Sequence, residues 1–169
     1  MFELLGEQEV DWDVTDVFQV DERIAPDGDP DRNLTHMVEH LPAEAVARLQ
    51  PMPVTDDDLE AAAAHYEAAL PSVLDIVHLG LGPDGHTASL VPGDLVLEVS
   101  DRRVALTGIE YQGRRRMTLT YPALAAARRL LWLVDSGKQQ ALDKLLAGDP
   151  SIPAGRVEAA DALVITDRG

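Results

Sequence analysis

Short apolar stretches alternate along the chain with longer segments in which polar and apolar positions recur at helical spacing, and that alternation lays out its elements. Residues 14–20 (VTDVFQV) have the β-branched and aromatic content of a buried strand, which ends at Asp21, Glu22 and Arg23 before a loop rich in Pro, Gly and Asp. Asn33 is placed to cap a short helix through Leu41. Residues 55–58 (TDDD) resemble a capping box that opens an alanine-rich helix to about Leu70, with Pro71 as its stop. The apolar run 74–79 (LDIVHL) predicts a strand leading into a glycine-rich loop, and shorter strands are expected at 95–99, 103–106 and 117–121. A short helix with proline in its first turn (122–127), a continuous apolar strand (130–134), an amphipathic helix (136–146) ended by Gly148, and a last strand (162–166) complete the pattern.

Strands that alternate with helices, several of them apolar on both faces, predict an α/β domain: a mainly parallel, Rossmann-like sheet flanked by helices. No repeat or linker interrupts it, so residues 1–169 read as one domain with one core. In such sheets ligands collect beyond the carboxyl ends of the strands. Residues 21–23, 80–86 and 135–138 are therefore expected on one edge.

Composition narrows the classes. With 46% hydrophobic residues and no apolar stretch of bilayer-spanning length, the chain reads as soluble and ordered, without a membrane partner. Its formal charge of -16 argues against nucleic acid, whose phosphates need clustered Lys and Arg. The opening FELLGE lacks the basic flank and apolar core of a signal peptide, and there is no cysteine, so the cytoplasm is the expected compartment. An anionic ligand would meet an opposing global field. Local positive charge would have to supply its site, which puts weight on arginines near the glycine loop.

That loop, residues 80–90 (GLGPDGHTASL), is where backbone freedom and titratable chemistry coincide. Gly80, Gly82 and Gly85 allow a sharp turn and close backbone approach to a ligand, and His86 belongs to the residue type whose ordinary pKa suits proton transfer near neutrality. On spacing alone the loop is either a reaction site or a structural turn with an incidental histidine. His36, His40 and His65 lack comparable context, and His78, inside an apolar strand, reads as a hydrogen-bonded core residue. Trp12 and Trp132 read as core aromatics; Arg114, Arg115, Arg128 and Arg129 read as solvated. No spacing of histidines and carboxylates makes a metal site, so no metal is expected.

Four segments in order carry a resemblance: Trp12 with VFQVDERIAP (17–26) and Asn33; DIVHLGLGPDGHTASLVPG (75–93); RMTLTYPAL (116–124); and Ser136, Gly137 and Lys138 before a helix. Together they make the chain similar to the 6-phosphogluconolactonases, whose fold is shared with glucosamine-6-phosphate deaminase and ribose-5-phosphate isomerase. The resemblance implies hydrolysis of the sugar-phosphate lactone 6-phosphoglucono-δ-lactone without a cofactor. His86 would be the general base that deprotonates the attacking water. Asp84 would either support the imidazolium or shape the turn. N–H groups of residues 82–85 or the Arg23 guanidinium would stabilise the oxyanion. Arg23 is also a candidate phosphate contact, its bland alternative being an ion pair with Asp21 or Glu22. Arg116 and Lys138 match positions where the family carries basic residues to clamp a phosphate, Lys138 being equally readable as a helix-surface lysine. Asp21, Asn33, Gly80, Gly82 and Gly85 complete the expected substrate-binding set.

The chain also departs from the pattern. Family members open with a βα segment carrying a Gly-Gly-Ser-Thr-Pro type loop, absent here, and residues 2–5 look like the end of the helix that should follow it. Relative to the family the sheet is expected to be truncated at the N-terminus by roughly 30 residues, the size of a βαβ unit, leaving an edge or an apolar face exposed and self-association plausible. Arg32 stands where the family often has Ser. Three readings follow: a lactonase; a catalytically impaired sugar-phosphate-binding remnant; or a related deaminase or isomerase, against which residues 89–92 (SLVP) lack the glutamate of a deaminase loop.

Overall fold

A computed structural model describes residues 8–167, so the expectation for residues 2–5 lies outside the described residues. Strands β1 (Val17–Phe18), β2 (Asp21–Arg23), β3 (Leu49–Gln50), β4 (Ile76–Gly80), β5 (Val104–Leu106), β6 (Arg116–Leu119), β7 (Arg129–Val134) and β8 (Ala162–Thr166) assemble into three ladders. The largest runs β4-β7-β8, all parallel, with β7 in the middle; β1 and β3 form a short parallel pair. The third ladder, β2-β6-β5, is antiparallel. Helices α1 (Asn33–His40), α2 (Ala43–Val46), α3 (Leu59–Ala69), α4 (Tyr121–Ala125) and α5 (Gln139–Leu146) lie between strands, as an α/β chain requires.

Burial along β4 and β7 alternates as the pleat dictates. Val77 and Leu79 face the core beside Leu130, Trp132 and Val134, where they join Leu90, Met117, Leu119 and Leu142. The opposite face is unusual for parallel strands, which are ordinarily covered on both sides. It leaves Ile76, Leu163 and Ile165 at 65%, 49% and 48% exposure.

Four local expectations need correction. Of the strand expected at 14–20 only Val17–Phe18 forms, and Asp21, Glu22 and Arg23 are not its end but a strand of their own, β2, opposite Thr118, Met117 and Arg116. A charged strand survives there because Glu22, fully buried, accepts from the Gln19 side chain and from the backbone N–H groups of Arg23, Asn33 and Leu34 at 2.8–2.9 Å. Residues 95–99 are not a strand either. Buried Asp94 accepts from the N–H groups of Val96, Gly108 and Ile109, which winds Leu95–Glu98 into a 3-10 turn. The cap of α3 is Asp58, whose carboxylate accepts from Ala61 N–H at 3.0 Å, not Thr55. Trp132 is buried as expected, whereas Trp12 is only half-buried.

Candidate functional site

The loop after β4 is closed by its own hydrogen bonds. Gly82 N–H donates to the His86 carbonyl at 2.8 Å, Gly85 N–H to the Gly82 carbonyl at 3.0 Å, and the Thr87 hydroxyl to the Gly80 carbonyl at 2.9 Å. The Gly82 and Gly85 N–H groups are thus spent within the turn, which removes them as donors to a ligand. Their glycines serve space instead. A Cβ on Gly82 would stand 2.0 Å from His86 Nδ1, and one on Gly85, whose φ is +83°, would stand 2.4 Å from the Ile152 side chain. Gly80 has open space around it and no such requirement.

Packed against Gly82, the His86 ring meets Asp84 Oδ1 through Nδ1 at 2.6 Å. Burial pushes the Asp84 carboxyl up, but hydrogen bonds from the His86 ring and backbone and from the Tyr111 hydroxyl outweigh it and hold the group below the usual carboxylate range. An ionised Asp84 only accepts, so Nδ1 carries a proton, and in the neutral ring the lone pair falls on Nε2. Tyr111 was not singled out in the sequence. Its hydroxyl donates to Asp84 Oδ2 at 3.0 Å and lies 3.2 Å from His86 Nδ1, with the two rings edge to face at 5.0 Å. The one sequence signal for it is the turn Gln112-Gly113, where both residues have positive φ and fold Tyr111 back toward Arg114.

A second cluster lies beside the first. Ser89, three residues past His86, donates through its hydroxyl to Asp21 Oδ2 at 2.5 Å and through its N–H to the Thr118 hydroxyl oxygen at 3.2 Å, which seats the loop on β2 and β6. The Asn33 amide donates to Asp21 Oδ1 at 3.0 Å and accepts from Arg23 Nη1 at 2.8 Å; Arg23 also donates to the Asp31 carbonyl. Neither carboxylate expected for an Arg23 ion pair, Asp21 or Glu22, receives its guanidinium. Arg116 lies 3.9 Å from Asp21 and 5.2 Å over the Tyr111 ring, and its Nη2 donates to the Tyr111 carbonyl and Gln112. Burial pushes the Asp21 carboxyl up, and burial followed by the charge of Arg23 pushes Arg116 down.

Arg23, Arg114, Arg116, His36, Gln112 and Asp31 line a cavity of about 300 Å³. Arg23 and Arg116 repel each other across this lining, with their Nε atoms buried and without a hydrogen-bond partner, so an anion in the hollow would offset the repulsion. Arg114 is not solvated as expected: it pairs with Asp29 at 3.0 Å and Asp31 at 3.3 Å. A larger depression of about 670 Å³, at Thr55, Asp57, Asp58 and His65, has no lysine or arginine in its lining and none of the motif residues.

A family model described as glucosamine-6-phosphate isomerases/6-phosphogluconolactonase matches residues 1–165. The chain belongs to this family. The 6-phosphogluconolactonase of Streptomyces coelicolor is 35% identical over 78% of the chain and 58% of that protein. That of Mycobacterium tuberculosis is 34% identical over 95% of the chain and 74% of that protein. The crystal structure of 6-phosphogluconolactonase from Thermotoga maritima superposes with a TM-score of 0.86 at 27% identity, covering 98% of this chain and 79% of that one.

Lys138 follows β7 in the turn at the same sheet edge as the glycine loop, since Gly80 pairs with Leu133. It pairs with Asp135 at 2.9 Å and does not line the arginine cavity. Two of the three expected segments therefore share one parallel edge, and the third, 21–23, reaches them from the antiparallel ladder through Ser89. Arg32 is buried with its guanidinium on Asp27 and 3.5 Å from Glu22. His78 is half-buried with Nε2 unpartnered, not hydrogen-bonded as expected, and burial pushes its imidazole down. Among the described residues no group of histidines and carboxylates could hold a metal ion, and no helix is long and apolar enough to cross a membrane.

Proposed function

We propose that this chain hydrolyses 6-phosphoglucono-δ-lactone to 6-phosphogluconate, the second step of the oxidative pentose phosphate pathway, in the cytoplasm and with no cofactor. The observation that carries the reading is the 2.6 Å contact between His86 Nδ1 and Asp84, which leaves Nε2 of the neutral ring as a base, in a pair that Tyr111 links to Arg116 at the wall of the arginine-lined cavity. Arg23 and Arg116 hold the phosphate, and Lys138 approaches from the β7 edge. Nε2 takes a proton from water as its oxygen attacks the lactone carbonyl, and Asp84 supports the imidazolium that forms. The tetrahedral intermediate then collapses with cleavage of the bond to the ring oxygen. That oxygen recovers the proton from Nε2 and becomes the C5 hydroxyl of 6-phosphogluconate.

The test is hydrolysis of freshly made lactone, read against its spontaneous opening. The chain is expected to exceed that background, and His86→Ala to lose about 10²- to 10⁴-fold in kcat with an unchanged circular dichroism spectrum. A folded protein with no rate above background overturns the reading in favour of a sugar-phosphate binder. We also infer that copies self-associate through the exposed face around Ile76, Leu163 and Ile165.

A further inference from the structure

Tyr111 stands between the two halves of the site, and each end of its side chain serves a different half. Its hydroxyl donates to Asp84 Oδ2 at 3.0 Å, on the carboxylate whose other oxygen holds His86 Nδ1 at 2.6 Å. Its ring lies 5.2 Å beneath the Arg116 guanidinium, within range for a cation–π contact, and its own carbonyl accepts from Arg116 Nη2 at 3.2 Å. Burial, the Asp84 hydrogen bond and the Asp84 charge push the phenol up, so it stays a donor throughout the physiological range. Without that donor Oδ2 would turn to water, and Oδ1 would be held toward the ring by the His86 backbone N–H alone, at 3.1 Å.

We propose that Tyr111 is a positioning residue that couples the anion cavity to the proton-transfer pair: its hydroxyl fixes Asp84 so that His86 keeps its proton on Nδ1, and its ring seats Arg116 for the phosphate. The coupling is structural and local. The hairpin that carries Tyr111 turns at Gln112 and Gly113 (φ 54° and 78°), and Arg116 begins the strand on its far side, so one short segment delivers both contacts. Substrate phosphate drawn onto Arg116 thereby tightens the segment that holds Asp84. The catalytic part of this proposal rests on the lactonase reading; the tautomer and anion-binding parts do not.

Two variants separate the two ends. Tyr111→Phe removes the hydroxyl and keeps the ring, whereas Tyr111→Leu removes both. The ¹⁵N shifts of the His86 ring at pH 8 report the tautomer, and inorganic phosphate titrated into the protein reports the arginine cavity, both independently of turnover. The wild-type ring is expected to be mainly Nδ1-protonated, with the Nε2-protonated form gaining in Tyr111→Phe at unchanged phosphate affinity. Its kcat should fall about three- to tenfold with KM within about twofold. Tyr111→Leu should in addition weaken phosphate binding and raise KM by about fivefold. A Tyr111→Phe tautomer ratio equal to wild type overturns the role at Asp84. Phosphate affinity that is unmoved in a folded Tyr111→Leu overturns the role at Arg116. Should the wild type lack lactonase activity, the tautomer and phosphate measurements still decide the proposal.

Discussion

At Gly82 one hydrogen atom decides whether the imidazole can lie where it does, because a methyl there would sit 2.0 Å from His86 Nδ1 and 2.8 Å from Asp84 Oδ1. The backbone at Gly82 is not in the left-handed region, so alanine is conformationally acceptable and the conflict is with two side chains able to swing outward. Gly82→Ala is therefore expected to cost less than about 1 kcal/mol in denaturant unfolding while lowering kcat by about 10²-fold or more, since the ring leaves its productive position. Equal losses of stability and activity would count against this account. The Asp84 carboxyl, held below its ordinary value of 3.8, contributes its contact at any pH above that value and loses it as pH falls through the depressed one. Much of this was legible from GLGPDGHTASL, because the type and order of the residues limit what the loop can do. Tyr111 was not legible, because it is a lone aromatic in a polar segment and its meeting with Asp84 spans 27 positions.

Among the elements, those whose pattern and partners are local came through from the sequence. The apolar run at 130–134 is β7, and the alanine-rich segment is α3, shifted only by the choice of Asp58 over Thr55 as cap. Residues 95–99 failed because their apolar content reads as a strand while a single buried carboxylate imposes a turn. That carboxylate gives a prediction at this scale. Asp94→Ala strands three N–H groups, of Val96, Gly108 and Ile109, and is expected to cost about 2–4 kcal/mol, lowering Tm by roughly 8 °C. A variant that melts within about 2 °C of wild type would show that water satisfies those groups instead. The charged residues Asp21, Glu22 and Arg23 likewise read as the end of a strand, since no propensity foretells that Glu22 would be buried with its acceptor sites filled.

For the whole molecule, a charge of -16 sets copies against one another, and the proposed self-association through the open face of the parallel ladder would have to overcome it. Screening shortens the range of the repulsion from about 30 Å at 0.01 M salt to about 8 Å at 0.15 M. Sedimentation velocity is accordingly expected to show more dimer at 0.5 M salt than at 0.01 M. A monomer at every salt and concentration would refute self-association through that face. The α/β class, the parallel arrangement and the sharp turn of the glycine loop follow from residue type and spacing, because periodic burial and glycine geometry are short-range effects written in consecutive residues. Folding alone determines that Asp21, Asn33 and Arg116 meet, that Arg114 and His36 join Arg23 around a hollow, and that Tyr111 bridges to Asp84. These contacts join residues far apart in the chain, and which of many charged side chains meet depends on how the antiparallel ladder packs against the parallel one.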